Sequence, residues 1–176
     1  MAAVCPPRPL IETDDRAAFD CGRESLNVWF RRHAWANHAS GASRVNVIAA
    51  VASGKIVGYV TLSASQIERA FLAKPQQRNQ PDLIPATLLG QLAIDRAHQG
   101  QGHAASLLLF ALRTALRAAQ SVGSVGVITH PLDDDLRRFY ARWGFRDLPF
   151  DSRRAMIVRM VDLERSFAVA PAKAPD

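Results

Sequence analysis

The sequence predicts one α/β (α+β) domain in which helices lie on the faces of a single mixed β-sheet. Its 176 residues fit one domain, and an apolar content of 48% is enough to build a hydrophobic core. Segments with strand character and segments with helical periodicity follow one another in the order β-α-β-β-β-α-β-α-β-β. The chain contains no internal repeat and no long linker, so we expect one sheet rather than two separate domains.

The first half of the chain is expected to form a short strand, a helix and an antiparallel hairpin. The helix buries a stripe that includes Trp29 and His33, because apolar residues recur there at helical spacing. Ser53, Gly54 and Lys55 separate the two hairpin strands, and such a short turn containing glycine favours antiparallel pairing. The expected bounds are 9–12 for the strand, 24–38 for the helix, and 45–52 and 56–65 for the hairpin.

The second half is expected to alternate between strands and helices. Residues 73–86 contain three prolines and are expected to form a surface loop with at most a short helix. Asp133–Asp135 suit the positive N-terminus of a helix that ends before Gly144. A metal site there is the less favoured alternative, because no other acidic cluster accompanies the three aspartates. The remaining expected elements are strands at 88–94, 122–129, 145–148 and 155–163, and a helix from about 102 to 119.

The charge distribution favours a polyanionic partner. The net charge is +6 and the isoelectric point is about 10.1, and an excess of cations attracts phosphate groups. Residues 21–60 hold five cations against one glutamate, and residues 137–160 hold seven arginines against two aspartates. A merely solvated surface is the alternative, because a preference for arginine over lysine also follows from genome base composition.

The chain is expected to be cytoplasmic, with no membrane partner and no metal. No apolar run approaches the roughly 18 residues that span a bilayer, and the first residues lack the features of a signal peptide. Cys5 and Cys21 have neither metal-ligand spacing nor a disulfide framework, so we expect reduced thiols.

The stretch Gln99–Ala104 follows a predicted strand and opens a predicted helix. Gly100 and Gly102 let the backbone approach a ligand closely, and the first turn of the helix offers unpaired N–H groups and the positive end of its dipole. A pyrophosphate suits such a turn. An ordinary corner between a strand and a helix is the alternative, because a six-residue pattern recurs by chance.

This glycine turn and the stretch Arg138–Phe145, some forty residues later, together resemble the GNAT superfamily of acetyl-CoA-dependent N-acyltransferases. The resemblance runs from about Pro9 to Leu163. It implies a mostly antiparallel central sheet of six to seven strands, flanked by about four helices and splayed between the fourth and fifth strands. It also implies a domain over 9–165 between a flexible N-terminus, 1–8, and a flexible C-terminal tail, 166–176.

A narrower resemblance links the chain to the acetyltransferase toxins of type II toxin–antitoxin modules. It rests on four stretches: Phe19–Gly22, Leu26–Phe30, Ala34–Asn37 and Ser43–Val45. This resemblance implies acetylation of the α-amino group of aminoacyl-tRNA, inhibition of translation, and silencing by a small antitoxin of ribbon-helix-helix type. A homodimer is expected by analogy alone, with the apolar strand Ala155–Val158 as its contact.

The resemblance also implies a set of residues that bind acetyl-CoA, the co-substrate. Leu92, Ala93 and Ile94 would present backbone groups to the pantetheine arm, whose amides can pair with a strand edge. Five residues would surround the pyrophosphate: Gln99, Gly100, Gly102, His103 and Ala104. His103 replaces the apolar residue or glycine of many relatives, and we expect it to face solvent at the helix start rather than to contact phosphate.

By the same resemblance, Tyr140 protonates the departing CoA thiolate. A phenol with a pKa near 10 holds its proton at neutral pH and can donate it to a thiolate. The alternative is a tyrosine of the core, because Leu136, Phe139, Tyr140 and Trp143 lie at the spacing of one helical stripe.

The expected reaction is direct attack of a neutral amine on the acetyl thioester. An α-amine titrates near 8 and a lysine above 10, so an aminoacyl-tRNA reacts with little help from a base, and no glutamate or histidine base is expected on the central strands. The alternatives are acetylation of a small amine or protein N-terminus, and a non-catalytic module that binds CoA or nucleic acid. The arginines expected to face tRNA are Arg31, Arg32, Arg44, Arg138, Arg142, Arg153 and Arg154.

Overall fold

The structure is a computed structural model that describes residues 3–169. Seven strands form one sheet within this range, namely β1 (Arg8–Pro9), β2 (Arg44–Ala49), β3 (Ile56–Glu68), β4 (Leu83–Ile94), β5 (Gly126–Thr129), β6 (Arg146–Asp147) and β7 (Met156–Arg159). Their order is β1-β2-β3-β4-β5-β7-β6, in which β4 and β5 run parallel, whereas β1/β2, β2/β3, β5/β7 and β6/β7 run antiparallel. The predicted mixed, mostly antiparallel sheet is confirmed.

Six α-helices lie in residues 3–169, where about four were expected. They are α1 (Glu24–Arg32), α2 (Ala34–Ser40), α3 (Lys74–Gln77), α4 (His103–Ala119), α5 (Asp134–Ala141) and α6 (Met160–Val169). Single 3₁₀ turns occur at Arg69–Phe71 and Arg96–His98. No helix in this part of the chain is long and apolar enough to cross a membrane.

The helix expected over residues 24–38 is divided into α1 and α2 at His33. The backbone N–H of His33 still donates to the carbonyl of Trp29 at 2.8 Å, but its φ of −117° is not helical. The His33 side chain is exposed. Its expected packing on the buried stripe is therefore wrong, whereas Phe30 and Ala34 on either side are fully buried.

Strand β4 begins at Leu83 rather than at residue 88, because Pro85 is compatible with the sheet. A proline lacks only the backbone donor, and the Pro85 carbonyl accepts a hydrogen bond from the N–H of Val125 at 2.9 Å. Ile84 and Ala86 are both buried. The expected loop over 73–86 is correspondingly shorter and contains the four-residue helix α3.

Strand β7 ends at Arg159, where the sequence predicted a strand up to residue 163. Helix α6 begins at the next residue, and the N–H of Met160 donates to the carbonyl of Val125 at 2.9 Å. The guanidinium of Arg159, the last residue of β7, pairs with Asp162 in the first turn of α6 at 2.7 Å. The strands predicted at 122–129 and 145–148 are confirmed in shortened form as β5 and β6.

Backbone pairing extends along β2 toward the start of the described chain. The N–H of Cys5 donates to the carbonyl of Ala49 at 2.8 Å, and the N–H of Val51 donates to the carbonyl of Ala3 at 2.9 Å. The domain boundary expected at residue 9 thus falls within a paired segment. At the other end, the expected tail over 166–176 overlaps α6, and residues 170–176 lie outside the described residues.

Residue contacts divide the described chain into two compact units, each with its own core. The first unit consists of the residues up to 63 and of 89–113, and the second of 64–88 and of the residues from 114 onward. In the first core, Phe30 stacks on Tyr59 with their ring centroids 4.2 Å apart. Ile84 and Ile128 belong to the second core.

Candidate active site

The turn between β4 and α4 is built on two left-handed glycines. Gly100 has a φ of 74° and Gly102 a φ of 83°. A Cβ atom at either position would meet no atom within 4 Å, so the backbone conformation rather than crowding requires glycine. Helix α4 begins directly afterwards, with the N–H of Ser106 donating to the carbonyl of Gly102 at 3.1 Å. The predicted anion-binding geometry of a glycine turn and a helix N-terminus is therefore present.

Close packing fixes both sides of this turn within the first unit. A Cβ atom at Gly58 of β3 would lie 2.5 Å from the Cδ1 of Ile94 and 3.1 Å from the Cδ1 of Leu107. Only glycine permits this approach. The last residue of β4 and the second turn of α4 are thus held against the same point of β3.

The Gln99 side chain holds the turn through two hydrogen bonds, although the residue is exposed. Its amide nitrogen donates to the carbonyl of Cys21 at 3.0 Å and to that of Ile94 at 2.9 Å. Asp95 is buried, and its carboxylate accepts a hydrogen bond from the N–H of Asp20 at 3.2 Å. These bonds connect the end of β4 to the segment that precedes α1.

His103 is buried at the start of α4, with 8% of its surface exposed. The expectation that it faces solvent is therefore wrong. Its Nε2 atom is inaccessible to solvent and has no hydrogen-bond partner within residues 3–169. The side chain of His103, the first residue of α4, therefore points into the protein. Its backbone N–H and that of Ala104 lie at the helix N-terminus.

The residues expected to contact pantetheine form the end of β4. Ala93 and Ile94 are buried and Leu92 is half-buried. The parallel pairing of β4 with β5 is registered at Thr87 and Leu88, and all three residues lie beyond it along β4. All three residues therefore belong to the first unit. Because their side chains are buried or half-buried, these residues can offer a ligand their backbone N–H and carbonyl groups.

Tyr140 lies on α5 and is buried, with 5% of its surface exposed. Its ring contacts Phe139 and Phe145 edge-on, at centroid distances of 5.3 and 5.2 Å. Burial raises the pKa of the Tyr140 hydroxyl to about 12, and a hydrogen bond with the Thr129 side chain acts in the opposite direction. The hydroxyl therefore keeps its proton at any physiological pH.

The hydroxyl of the other tyrosine of the chain, Tyr59, has two acceptors for its one proton. It lies 3.0 Å from the carbonyl of Leu26 and 2.9 Å from the side-chain oxygen of Gln91. Burial also raises the pKa of Tyr59. The Tyr140 hydroxyl is engaged by one side chain, Thr129, whereas two protein oxygens compete for the Tyr59 proton, so Tyr140 is the better candidate for a phenol that donates a proton in a reaction.

The three aspartates at 133–135 begin α5, as predicted. The Asp133 carboxylate accepts a hydrogen bond from the N–H of Leu136 at 2.8 Å, and the other two lie in the first turn of the helix. Among the described residues, no group of three or more histidine, cysteine or acidic side chains could hold a metal ion.

Two of the arginines expected to face tRNA are engaged in the first unit. The Arg31 guanidinium donates to the carbonyl of Phe19 through two nitrogens, at 3.1 and 2.6 Å. Arg44 donates to the carbonyl of His38 at 3.2 Å. Arg31 thus has a structural partner that uses its Nε and Nη2 atoms and leaves Nη1 for another ligand.

The remaining candidate arginines differ in whether another side chain already pairs with them. In the second unit, Arg138 forms an ion pair with Asp135, and Arg154 lies 3.9 Å from Asp134. Exposed pairs of this kind are weak. Three exposed guanidinium groups have no hydrogen bond or ion pair within the described range: Arg32, Arg142 and Arg153.

His130, which none of the sequence motifs indicated, directly follows β5 and lies ten residues before Tyr140. Its side chain is half-buried, and its Nε2 atom has no hydrogen-bond partner in the described part of the chain. Burial and the nearby Arg153 cation lower the pKa of His130, whereas Asp151 acts in the opposite direction. A histidine immediately after a predicted central strand was the signal that could have identified it.

A cleft of about 960 Å³ lies in the second unit, and its lining contains none of the candidate site residues described above. Its lining includes Ile84 and Ile157, with Arg146 and Arg159 among the charged residues. No residue that the sequence analysis assigned to the site lines this cleft.

Comparison with known proteins identifies a family and close relatives. Residues 43–147 match the acetyltransferase (GNAT) domain. The chain is 34% identical over 158 residues to the tRNA-acetylating toxin of Mycobacterium tuberculosis, covering 90% of this chain and 94% of that protein. The resemblance derived from the sequence motifs is thereby confirmed.

Two solved structures of the AtaT toxin have the same fold. AtaT complexed with acetyl-methionyl-tRNAfMet superposes with a TM-score of 0.86 and is 31% identical, covering 94% of this chain and 99% of that one. A tyrosine-to-phenylalanine variant of AtaT, bound to acetyl-CoA and to the C-terminus of the antitoxin AtaR, has a TM-score of 0.79 and 30% identity, with coverages of 93% and 98%.

Replacing Gln99 with alanine removes both hydrogen bonds that hold the glycine turn. We expect the Gln99→Ala variant to lose about 1–3 kcal/mol of unfolding free energy, because two carbonyls are left without donors. Urea denaturation measures this loss. The matched control is Gln101→Ala, since the Gln101 amide makes only a 3.4 Å contact with Ala97. Equal stability of the two variants would contradict the structural role of Gln99.

Proposed function

The chain belongs to the GNAT acetyltransferase family, and from this premise we propose that it transfers the acetyl group of acetyl-CoA to the α-amino group of an aminoacyl-tRNA. Acetylated aminoacyl-tRNA cannot be extended at that nitrogen, so translation would stop. The observation that carries the proposal is the 34% identity to a tRNA-acetylating toxin over nine-tenths of the chain. The likeness to AtaT in complex with an acetylated aminoacyl-tRNA supports the same substrate class.

We propose that the pyrophosphate of acetyl-CoA binds at the N-terminus of α4. The N–H groups that follow Gly100 and Gly102, including those of His103 and Ala104, supply donors, and the helix dipole favours the negative charge. The pantetheine amides pair with the backbone of Leu92–Ile94. Gln99 contributes by keeping the turn in place. Acetyl-CoA brings the activated acetyl thioester, which needs no further cofactor.

In the proposed reaction the α-amine nitrogen attacks the carbonyl carbon of the thioester directly. The new C–N bond forms, the C–S bond breaks, and the CoA thiolate receives a proton from the Tyr140 hydroxyl. The nitrogen loses one proton as it becomes an amide, and this proton, passed through solvent, restores the Tyr140 hydroxyl. Because burial keeps the pKa of that hydroxyl at about 12, Tyr140 is always protonated when the thiolate departs. The support for this assignment is the buried, protonated phenol and the engaged hydroxyl of the second tyrosine, Tyr59.

The tRNA body is proposed to bind the exposed arginines. Arg32, Arg142 and Arg153 lack competing partners among residues 3–169, and their planar guanidinium groups can bind two phosphate oxygens at once. Arg44, Arg138 and Arg154 contribute where a phosphate replaces a weak existing contact. Arg31 takes part through its Nη1 atom, which its bonds to the Phe19 carbonyl do not use.

We also propose a small antitoxin as the physiological inhibitor, because a relative of the same fold is solved with the C-terminus of its antitoxin. A ribbon-helix-helix architecture for that antitoxin, a cytoplasmic location and a homodimeric state remain expectations from the resemblance. An acetyltransferase of a small amine or protein N-terminus, and a binding module without turnover, are the outcomes that the following experiments would otherwise reveal.

The Tyr140→Phe substitution tests the reaction. We expect kcat for acetyl transfer to aminoacyl-tRNA to fall about 10²- to 10⁴-fold, because the thiolate loses its proton donor, while the KM for acetyl-CoA changes little. Mass spectrometry of the charged tRNA measures the product.

The wild-type rate should rise as the α-amine loses its proton near pH 8 and then stay level to pH 10.

Tyr59→Phe is the matched control, because it removes the same atom from a buried tyrosine that the reaction does not use. It should lower the thermal midpoint and leave kcat unchanged. The absence of any acetylated tRNA, with equal growth of cells that express the wild-type chain and Tyr140→Phe, would overturn the proposed function. A wild-type rate that falls between pH 9 and 10 would argue against Tyr140 as the acid.

The Gly102→Ala substitution tests the cofactor site. The new side chain has room but cannot easily adopt a φ of 83°, so the turn should relax and acetyl-CoA should bind about tenfold more weakly. Gly54→Ala is the control, because Gly54 also has a positive φ and open surroundings but lies in the hairpin between β2 and β3. Calorimetric titration that gives equal affinities for both variants would place the pyrophosphate elsewhere.

The salt dependence of Arg142→Ala tests the tRNA surface. A guanidinium that binds a phosphate displaces counterions, so its removal should flatten the plot of log kcat/KM against log salt concentration by about one unit of slope. Arg117→Ala on α4 removes an exposed arginine outside the proposed surface and should leave the slope unchanged. A wild-type rate that does not respond to salt would favour a small amine as the substrate.

A further inference from the structure

The loop between β6 and β7 exposes an aromatic ring beside cationic side chains. Phe150 is 63% exposed, although burial of a large apolar ring is favourable. Arg153 and Arg154 follow it in the same loop and are also exposed, and Arg153 has no ion-pair partner in the described residues. Surfaces that bind single-stranded nucleic acid have this composition, because rings stack on bases and cations bind phosphates.

Hydrogen bonds hold this loop in one conformation. Asp151 is buried, and its carboxylate accepts from the N–H groups of Arg153 and Ala155, each at 3.0 Å. The Arg137 guanidinium donates to the carbonyl of Arg154 at 2.7 Å. Arg154 itself has a φ of 55°, which is unfavourable for a residue with a side chain. A loop already fixed in this way loses little conformational entropy when a ligand binds.

The loop also contacts α5, the helix that carries Tyr140, within the second unit. The Arg137 guanidinium of α5 donates to the Arg154 carbonyl at 2.7 Å, and the Arg154 guanidinium lies 3.9 Å from the carboxylate of Asp134. A ligand on the loop therefore lies beside the helix that carries the group proposed to protonate the thiolate.

We propose that Phe150 stacks on an unpaired base at the 3′ end of the substrate RNA, while Arg153 and Arg154 bind the flanking phosphates. The inference rests on the proposed function, because an aminoacyl-tRNA carries its amino acid on a single-stranded 3′ end. Bases without a pairing partner expose their faces for stacking on aromatic side chains. Since every base has such a face, the contact orients the acceptor end without selecting the amino acid.

A fluorescence titration tests the contact without turnover. The Phe150→Trp variant keeps an aromatic ring at this position, and stacking of a base quenches tryptophan emission. We expect saturable quenching by a single-stranded RNA trinucleotide, beyond the change that the three native tryptophans give in the wild-type chain. A short RNA duplex with blunt ends, whose bases are paired, is the matched ligand and should give little quenching.

Kinetics provide the second readout. Phe150→Ala should raise the KM for aminoacyl-tRNA about 5- to 150-fold, the range measured for loss of one stacked base, and leave the KM for acetyl-CoA and the thermal midpoint unchanged. Phe150→Tyr keeps the ring and should behave like the wild-type chain. Val122→Ala removes another exposed apolar side chain of the second unit and should have no effect.

The two proposals fail in different ways. If no aminoacyl-tRNA is acetylated but single-stranded RNA still quenches Phe150→Trp, the proposed reaction is wrong and the stacking contact stands. If aminoacyl-tRNA is acetylated and Phe150→Ala leaves its KM unchanged, the stacking contact is overturned and the proposed reaction stands. Absence of quenching in Phe150→Trp likewise overturns the contact.

Discussion

The backbone between β4 and α4 must pass through the left-handed region twice, and this constraint fixes where α4 begins. Gly100 and Gly102 meet it at no steric cost. Gln99 and Asp95 then hold the turn with partly buried hydrogen bonds to neighbouring segments. The N–H groups of the first turn of α4 are therefore in position before any ligand arrives. A diphosphate that binds there gains electrostatic energy without ordering the loop.

The elements that the sequence predicted correctly are those determined by local interactions. Helix α5 begins where Asp133 caps it, and α4 begins after the glycine turn. The early start of β4 and the early end of β7 were missed, because contacts with a distant residue decide both. Val125 donates to the carbonyl of Pro85 and accepts from the N–H of Met160. No local pattern around residue 85 or 160 reveals that Val125 lies alongside.

The candidate site was predictable in its backbone and much less so in its side chains. A motif specifies that a turn and a helix N-terminus occur at Gly102, but side-chain orientation depends on what packs nearby. Gln99 bonds to Cys21, which is 78 positions away in sequence, and Arg31 bonds to the carbonyl of Phe19. His103 turned inward for a similar reason, because the first residue of α4 faces the protein. Such partners become visible only in three dimensions.

The protonation states of the two reacting groups restrict the substrates that the site can use. A phenol with a pKa near 12 is a weak acid, so Tyr140 donates its proton only as the thiolate develops. The proposed reaction assigns no base to the amine, so the nucleophile arrives already neutral. At pH 7 about a tenth of an α-amine with a pKa near 8 is neutral, whereas a lysine amine with a pKa near 10.4 is neutral to only about 0.04%. This difference of roughly 250-fold favours α-amines without any selective contact to the amino acid. Under the two proposals, recognition of the substrate then depends on groups that bind the RNA, such as Arg142 and Phe150, rather than on groups that recognise the reacting nitrogen.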